Sequence, residues 1–339
     1  MWWSENLGVL KKMTGKKLVN AVRVFGSYHY SRITKKNVHT GLPLSLNFEP
    51  TTSCNLRCPE CPSGLRSFTR PTGMLEKKFF QRTIDEISDS LIYLTFYFQG
   101  EPYLNPQFLD MVKYASSKNI FTSTSTNAHY LDDETAKRTV ESGLDKLIIS
   151  IDGTTQETYS SYRVGGKLDK VIEGTKNILK WKKQLRSSTP HVVFQFLVVK
   201  HNEHQVEDVK LLADKLSVDE VLLKTAQVYE YENGNELIPS EDKYSRYKQK
   251  SDGTWENKNK LENHCWKMWN SCVITWDGSV VPCCFDKDAT HRLGTLKNYP
   301  MKEIWFSEPY NRFRASVLNS RKEIDICKNC SEGARVWAD

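Results

Sequence analysis

The 339-residue sequence has no long uninterrupted run of apolar residues. A membrane-spanning helix needs about 20 such residues, and a secretory signal needs a shorter apolar core near the N-terminus. The N-terminal segment contains Lys11, Lys12, Lys16 and Lys17 instead. We therefore predict no integral membrane segment and a cytoplasmic location. A weak association of this basic segment with a membrane surface is the alternative.

Signs of nucleic-acid binding are also missing. The formal net charge of +7 is spread along the chain, and we find no RNA-binding motif. No nucleic-acid partner is expected. Because 39% of the residues are hydrophobic and 11% are aromatic, the chain can form a packed core, and large-scale disorder is not expected.

No cysteine occurs between Cys61 and Cys265. The nine cysteines form two separate groups, one on each side of this gap. The first group is Cys54, Cys58 and Cys61, and the second is Cys265, Cys272, Cys283, Cys284, Cys327 and Cys330. In a chain without a secretory signal, such grouping indicates metal ligation and not a disulfide framework.

The first group has the spacing CxxxCxxC and directly follows a strand-like run at residues 44–49. Three thiolates on one loop can hold three irons of an iron-sulfur cluster, and no fourth cysteine follows nearby. One iron would stay open to another ligand, as catalytic zinc sites keep an open position. A zinc knuckle completed by a later residue, or free core thiols, is the structural alternative.

This spacing resembles that of the radical SAM (S-adenosylmethionine) superfamily. The resemblance implies a 4Fe-4S cluster held by Cys54, Cys58 and Cys61, with SAM bound at the open iron. It also implies that the reduced cluster splits SAM into methionine and a 5'-deoxyadenosyl radical. The electron would come from a donor such as flavodoxin or ferredoxin.

Strand-like and helix-like segments alternate six times between residues 44 and 225. This alternation predicts an α/β fold with a parallel sheet, and six units resemble the partial (β/α)6 TIM-like barrel of radical SAM enzymes. We predict an N-terminal basic helical extension (1–43), the barrel (44–225), a linker or lid (226–262) and a cysteine-rich domain (263–339). In the extension, we expect a helix packed on the barrel with its apolar side chains facing inward, namely Leu7, Leu10, Leu18 and Val22.

Several barrel residues resemble the family's SAM contacts. Gly100 and Glu101 lie in a segment similar to the family's Gly-Gly-Glu motif, with Gln99 replacing the first glycine. The resemblance implies that Glu101 contacts the amino group of SAM and that Gly100 allows a close backbone approach. Many relatives have an aromatic residue directly before the third cysteine, where this chain has Glu60.

Four more residues complete the predicted SAM pocket. Asn127 is similar to the asparagine of a Thr-Asn-Gly turn, and Ser150 and Asp152 resemble the stretch that faces the ribose and carboxylate. Arg163 resembles an arginine that many relatives aim at the SAM carboxylate, for which a guanidinium offers bidentate geometry. A solvated surface position is the alternative for Arg163.

The second cysteine group contains the pair Asp277-Gly278 between β-prone runs, which predicts a hairpin. The passage resembles the C-terminal SPASM extension of the superfamily. The resemblance implies one auxiliary 4Fe-4S cluster, with zinc as the structural alternative, and its four implied ligands are Cys265, Cys283, Cys327 and Cys330. We expect Cys284 to point away from Cys283 on the same strand, and Cys272 to be packed.

Together these features predict an enzyme that abstracts hydrogen from a peptide or small-molecule substrate, with the auxiliary cluster assisting its oxidation. A radical SAM dehydrogenase of a sugar or cyclitol is the first alternative. A non-catalytic iron-sulfur or zinc regulatory protein is the second. No catalytic base can be identified, although Lys200, Lys224 and Glu230 near strand ends are candidates.

Overall fold

Six strands alternate with helices between residues 45 and 225, as the sequence pattern predicts. The computed structural model describes the backbone of residues 2–330 and the side chains of residues 7–330, so the end of the predicted 263–339 domain lies outside the described residues. The first half comprises α1 (Trp2–Lys11), α2 (Gly15–Thr34), β1 (Ser45–Phe48), α3 (Pro62–Leu65), α4 (Lys77–Ile87), β2 (Tyr93–Thr95), α5 (Phe108–Ser117), β3 (Phe121–Thr126), α6 (Asp133–Glu141), β4 (Lys146–Ser150) and α7 (Gln156–Tyr162). The second half comprises α8 (Leu168–Gln184), β5 (His191–Val198), α9 (Val206–Leu216), β6 (Glu220–Thr225), β7 (Tyr247–Gln249), β8 (Trp255–Asn257), α10 (Lys267–Asn270), β9 (Ser271–Ile274), β10 (Ser279–Val281), β11 (Gly294–Thr295), α11 (Met301–Trp305), α12 (Glu308–Ser320) and α13 (Asp325–Lys328).

The strands β1 to β6 are parallel and adjacent in chain order. Each connecting helix buries one apolar face against the sheet, and α4, for example, buries Phe80, Ile84 and Ile87. The end strands β6 and β11 do not pair with each other in the described part of the chain. The sheet is therefore an open, partial barrel of the predicted α/β class.

The C-terminal hairpin extends this sheet. Strand β9 pairs in parallel with β1, with Ser45 opposite Ser271, and β10 pairs antiparallel with β9. The hairpin predicted from Asp277-Gly278 is confirmed, and Gly278 has a φ of +86°, a conformation that favours glycine. The expectation that Cys283 and Cys284 share a strand is wrong, because β10 ends at Val281 and both cysteines follow in a turn.

An ion pair fixes the hairpin beside the barrel. Glu49, directly after β1, is fully buried and accepts hydrogen bonds from Arg70 Nη1 at 2.8 Å and Nη2 at 2.5 Å. The same carboxylate accepts the backbone N–H of Trp276 at 3.2 Å. Glu49 therefore joins the end of β1 to the turn of the C-terminal hairpin.

The N-terminal helices cross the end of the barrel where the strands begin. Lys17 Nζ donates to the backbone oxygen of Asn119, just before β3, at 2.5 Å, and Lys12 pairs with Asp145, just before β4. The predicted inward positions of Leu7, Leu10, Leu18 and Val22 are wrong, because these side chains are 53–65% exposed. The starts of the strands present polar groups that accept hydrogen bonds, and lysines on the inner side of the helices donate these hydrogen bonds. Val24 and Tyr28 complete the buried side of α2.

The segment predicted as a linker or lid contains the hairpin of β7 and β8. The hydroxyl of Tyr247 accepts the N–H of Val228 at 2.9 Å and contacts Asn329 Oδ1 at 3.0 Å. This segment therefore contacts the last described residues. Among the described helices, none has the length and apolar character needed to cross a bilayer.

Candidate metal and SAM site

The first cysteine group forms a loop between β1 and α3. Hydrogen-bond donors surround its sulfur atoms: the N–H of Leu56 lies 3.4 Å from Cys54 Sγ, and Arg163 Nη1 lies 3.8 Å from Cys58 Sγ. Burial raises the pKa of Cys54 to about 11. Because the thiolate is the form that ligates iron, binding of a cluster here would release the thiol protons.

Two glycines keep the loop packed closely. A Cβ added to Gly64 would lie 2.6 Å from the backbone nitrogen of Cys58. A Cβ on Gly100 would lie 2.2 Å from the backbone oxygen of Thr51, and its φ is +76°. Gly100 therefore packs closely on the backbone beside the cysteine loop, while its contact with SAM stays a prediction.

A cavity of about 180 Å³ opens beside the loop at the carboxyl ends of the barrel strands. Its lining contains all three cysteines of the first group and no other cysteine or histidine among the described residues. Five of the six predicted SAM contacts also line this cavity: Gly100, Glu101, Asn127, Ser150 and Arg163. The three thiols thus fit a cluster with one iron left to a non-protein ligand.

Glu101 is buried in the cavity wall, where three donors of the chain surround its carboxylate. It accepts the hydroxyl of Thr126 at 2.7 Å, the N–H of Asn127 at 2.8 Å and the N–H of Tyr103 at 3.3 Å. Burial raises the pKa of Glu101 from 4.5 to about 7, although these donors oppose the rise. Glu101 therefore holds the 126–127 turn in place and still borders the cavity.

Asp152 differs from the other predicted contacts because it does not line the cavity. It is fully buried, its Oδ2 pairs with Arg163 Nε, and its Oδ1 accepts the N–H of Leu197 at 2.7 Å. The paired Asp152 carboxylate contributes to a raised pKa for Arg163, against the effect of burial. Asp152 thus orients Arg163, whose side chain reaches both the cavity and Cys58.

The second cysteine group has its own small cavity, lined by Cys265, Cys283, Cys327 and Cys330. Arg321 lies beside it and its Nη2 donates to Cys330 Sγ at 3.4 Å. These four residues are the predicted ligands, so the structure brings them together. Burial raises the pKa of Cys327 to about 12. Four thiols that line one cavity match the number of ligands that a fully ligated cluster needs.

The two remaining cysteines lie apart from this set. Cys272 is buried among apolar residues, as predicted, and burial raises its pKa to about 12. Cys284 packs near Phe98 and lines a larger cavity of about 600 Å³. The lining of that cavity includes Cys61 of the first cysteine group and Cys283 of the second, so the cavity borders both cysteine sites.

The larger cavity contains residues that the sequence did not single out. Lys287 borders it and donates to the hydroxyl of Tyr229 at 2.7 Å, while the N–H of Tyr229 donates to Glu60 at 3.0 Å. Burial lowers the pKa of Lys287. Of the three candidate bases named from the sequence, Lys224 lines the cavity, whereas Lys200 and Glu230 are not part of its described lining. No local motif marks Lys287, because its contacts come from distant parts of the chain.

Comparison with known proteins supplies the family. The radical SAM superfamily model matches residues 48–213, and the SPASM model, an iron-sulfur cluster-binding domain, matches residues 265–331. The chain is 27% identical to the tungsten-containing aldehyde ferredoxin oxidoreductase cofactor-modifying protein of Pyrococcus furiosus over 318 residues, which cover 84% of this chain and 86% of the relative. It is 29% identical to the mycofactocin maturase MftC of Mycobacterium ulcerans over 173 residues, 51% of this chain and 45% of the relative.

A solved structure agrees with the fold. Streptococcus suis SuiB bound to S-adenosylmethionine superposes with a TM-score of 0.64 at 13% identity, covering 90% of this chain and 76% of that chain. The SPASM match also favours iron-sulfur clusters over the zinc alternative in the second cysteine group. The chain therefore belongs to the radical SAM superfamily and has a C-terminal SPASM domain, and its cofactors are SAM, a SAM-binding 4Fe-4S cluster and an auxiliary 4Fe-4S cluster.

Proposed function

We propose that this radical SAM enzyme removes a hydrogen atom from a peptide or small-molecule substrate held between its two iron-sulfur sites, and that the auxiliary site assists the oxidation. The observation that carries the proposal is the cavity of about 600 Å³, whose lining includes both Cys61 and Cys283. A substrate in this cavity would lie within reach of both sites.

The cysteines would hold the two clusters. Cys54, Cys58 and Cys61 hold the SAM-binding cluster, and the auxiliary cluster is held by Cys265, Cys283, Cys327 and Cys330. When bound, these groups supply the electron that splits SAM into methionine and a 5'-deoxyadenosyl radical, and an acceptor for the electron that the substrate releases. An electron donor such as flavodoxin or ferredoxin would reduce the enzyme.

The pocket residues bind and orient SAM in this proposal. Glu101 accepts a hydrogen bond from the amino group, and Arg163 pairs with the carboxylate, because each presents the opposite charge. Asp152 fixes the direction of the Arg163 guanidinium through its Nε. Asn127 and Ser150 border the same cavity and offer hydrogen bonds to the remaining polar groups of SAM.

Oxidation of a C–H bond also releases a proton, which the chain must accept. Two amines border the larger cavity, Lys224 from β6 and Lys287 from the turn after Cys283 and Cys284. Burial lowers the pKa of Lys287, which makes its neutral form more accessible. We assign the proton acceptor to this pair of lysines.

The cavity and the relatives support the proposed substrate class. One relative is named as a maturase and the other as a cofactor-modifying protein, which supports modification of a peptide or of a small molecule. The volume of about 600 Å³ is within the usual range for small-molecule sites and accommodates a short peptide segment. A cavity of this volume also accommodates a sugar or cyclitol, and dehydrogenation of such a molecule is the second candidate function.

The test compares two cysteine variants after anaerobic cluster reconstitution. Cys58→Ala should abolish 5'-deoxyadenosine formation from SAM and dithionite. Cys327→Ala should still form 5'-deoxyadenosine but should lose substrate oxidation. The matched control is Cys272→Ala, which removes a thiol outside both predicted ligand sets and outside the described lining of the cavity of about 600 Å³.

Two results would contradict the proposal. Wild-type protein that forms no 5'-deoxyadenosine would favour the regulatory alternative. Normal substrate oxidation by Cys327→Ala would show that the auxiliary site does not take part.

A further inference from the structure

The outward side of the two N-terminal helices is apolar. Six of its side chains, belonging to α1 and α2, are more than half exposed. We call this set the outer apolar face, and its members with their exposed fractions are Leu7 (53%), Leu10 (63%), Leu18 (55%), Val19 (53%), Val22 (65%) and Ile33 (79%). Single exposed apolar residues are common on proteins, but a continuous set of this kind marks an interaction surface.

The α2 members of the outer apolar face lie on one side of their helix because of helix geometry. Successive residues of an α-helix are rotated by about 100°, so Val22 and Ile33, three turns apart, point in the same direction. Val24 and Tyr28 point in the opposite direction and are fully buried. Helix α2 thus has two apolar sides, one packed on the protein and one directed outward.

The segment that carries this face has charged side chains of one sign. Residues 6–48 contain eight lysines and arginines and no aspartate or glutamate. Lys11, Arg23 and Lys36 are exposed and make no ion pair with any residue in the described ranges, whereas Lys16 pairs with Asp89 at 2.6 Å. An apolar helix side flanked by basic residues is the pattern of helices that lie in a membrane interface.

The face is directed away from the reaction site. The contacts of Lys17 with Asn119 and of Lys12 with Asp145 place α1 and α2 at the strand starts. The cysteine loop and the cavity of about 180 Å³ beside it lie at the strand ends. The cavity of about 600 Å³ is lined by Lys224 and Thr225 at a strand end and also by Ser45 at a strand start. A surface bound to the outward side of these helices therefore leaves the opening beside the cysteine loop accessible.

We propose that the outer apolar face docks on the surface of a bilayer that contains anionic phospholipids. The apolar side chains enter the headgroup region, and the flanking lysines and arginines contact the lipid phosphates. A second copy of this chain is a poor occupant, because a symmetric contact would bring two basic, carboxylate-free segments together. The enzyme is thereby held at the membrane by one face while its reaction site stays open to solvent.

The test measures vesicle binding of the full-length, cluster-loaded protein by co-sedimentation. Vesicles of phosphatidylcholine with about 30% phosphatidylglycerol should bind at least about tenfold more tightly than pure phosphatidylcholine vesicles. Raising the salt to about 0.5 M should weaken the binding, since screening reduces the attraction to lipid phosphates. The double variant Val22→Asp and Ile33→Asp should lose at least about tenfold in affinity for the anionic vesicles.

The matched control is Leu211→Asp, which changes a 67% exposed leucine on α9. It should bind vesicles as the wild type does. Formation of 5'-deoxyadenosine by the double variant, measured without vesicles, should equal that of the wild type and shows that it is folded. Equal binding to neutral and anionic vesicles, no vesicle binding, or unchanged binding of the double variant would overturn the proposal. A concentration-dependent dimer that the double variant abolishes would identify a second copy as the occupant and would also overturn it.

Discussion

The buried carboxylate of Glu101 should make SAM binding depend on pH near neutrality. Burial raises its pKa from 4.5 to about 7, and at 1.36 kcal/mol per pH unit this rise corresponds to about 3 kcal/mol. Because the folded-state pKa is raised, the contribution of this group to stability is fully present below pH 4.5 and is lost as the pH rises through 7. Ionisation of Glu101 produces the form that attracts the SAM ammonium, and it therefore lowers the stability of the folded protein.

The expected result is a pH-dependent SAM affinity. The carboxylate of Glu101 is about one-tenth ionised at pH 6 and mostly ionised at pH 7.5, so the dissociation constant of SAM should be about eightfold higher at pH 6. In Glu101→Gln the affinity should be weaker and nearly independent of pH over this range. Its amide NH2 would also face donors of the 126–127 turn.

Anaerobic equilibrium dialysis of the reconstituted protein at pH 6 and 7.5 measures this effect. Urea unfolding of both proteins between pH 5 and 7.5 checks the stability term, which should change by up to about 3 kcal/mol only in the wild type. Glu207→Gln is the control, since it removes an exposed carboxylate on α9. If Glu101→Gln and wild type show the same pH dependence of SAM affinity within about twofold, the reasoning is wrong.

Three further predictions concern the same sites. Gly100→Ala should lower the free energy of unfolding by about 3 kcal/mol or more and reduce the iron content, because a Cβ there meets the backbone of Thr51 at a positive φ. The control Gly15→Ala, with open space around it, should do neither. Equal melting temperatures of the Gly100→Ala and wild-type proteins would contradict the prediction. Arg163→Lys should weaken SAM binding about tenfold, measured by dialysis, since an ammonium cannot bond Asp152 and the SAM carboxylate in fork geometry; unchanged affinity would refute it. Cys272→Ala should retain about eight iron atoms per chain, whereas loss of about four would make it a cluster ligand.

The sequence predicted the parts of the fold that depend on local pattern. The alternation of apolar runs with helical periodicity located all six barrel strands. The hairpin at Asp277-Gly278 followed from the turn preference of that pair. These features are set by residues close in the chain, so one sequence was enough.

Features that depend on distant residues were missed. The inward side of α2 was wrongly assigned because the helix covers polar strand starts, which favour Lys17 over Leu18 as an inner residue. The cysteine spacing indicated the two metal sites, but it gave no sign that Lys287 would reach Tyr229. The role of Asp152 as the partner of Arg163 also depends on how the loop after α7 folds back.

Because β9 pairs in parallel with β1, the barrel depends on the C-terminal hairpin for part of its backbone hydrogen bonding. A fragment that stopped at residue 262 would leave the backbone N–H and C=O groups of β1 without their partners from Ser271–Ile274. Such an uncovered edge strand invites association with other chains, and β1 is the strand from which the Cys54 loop emerges. The barrel and its C-terminal extension are therefore better treated as one folding unit than as modules to be cut and recombined.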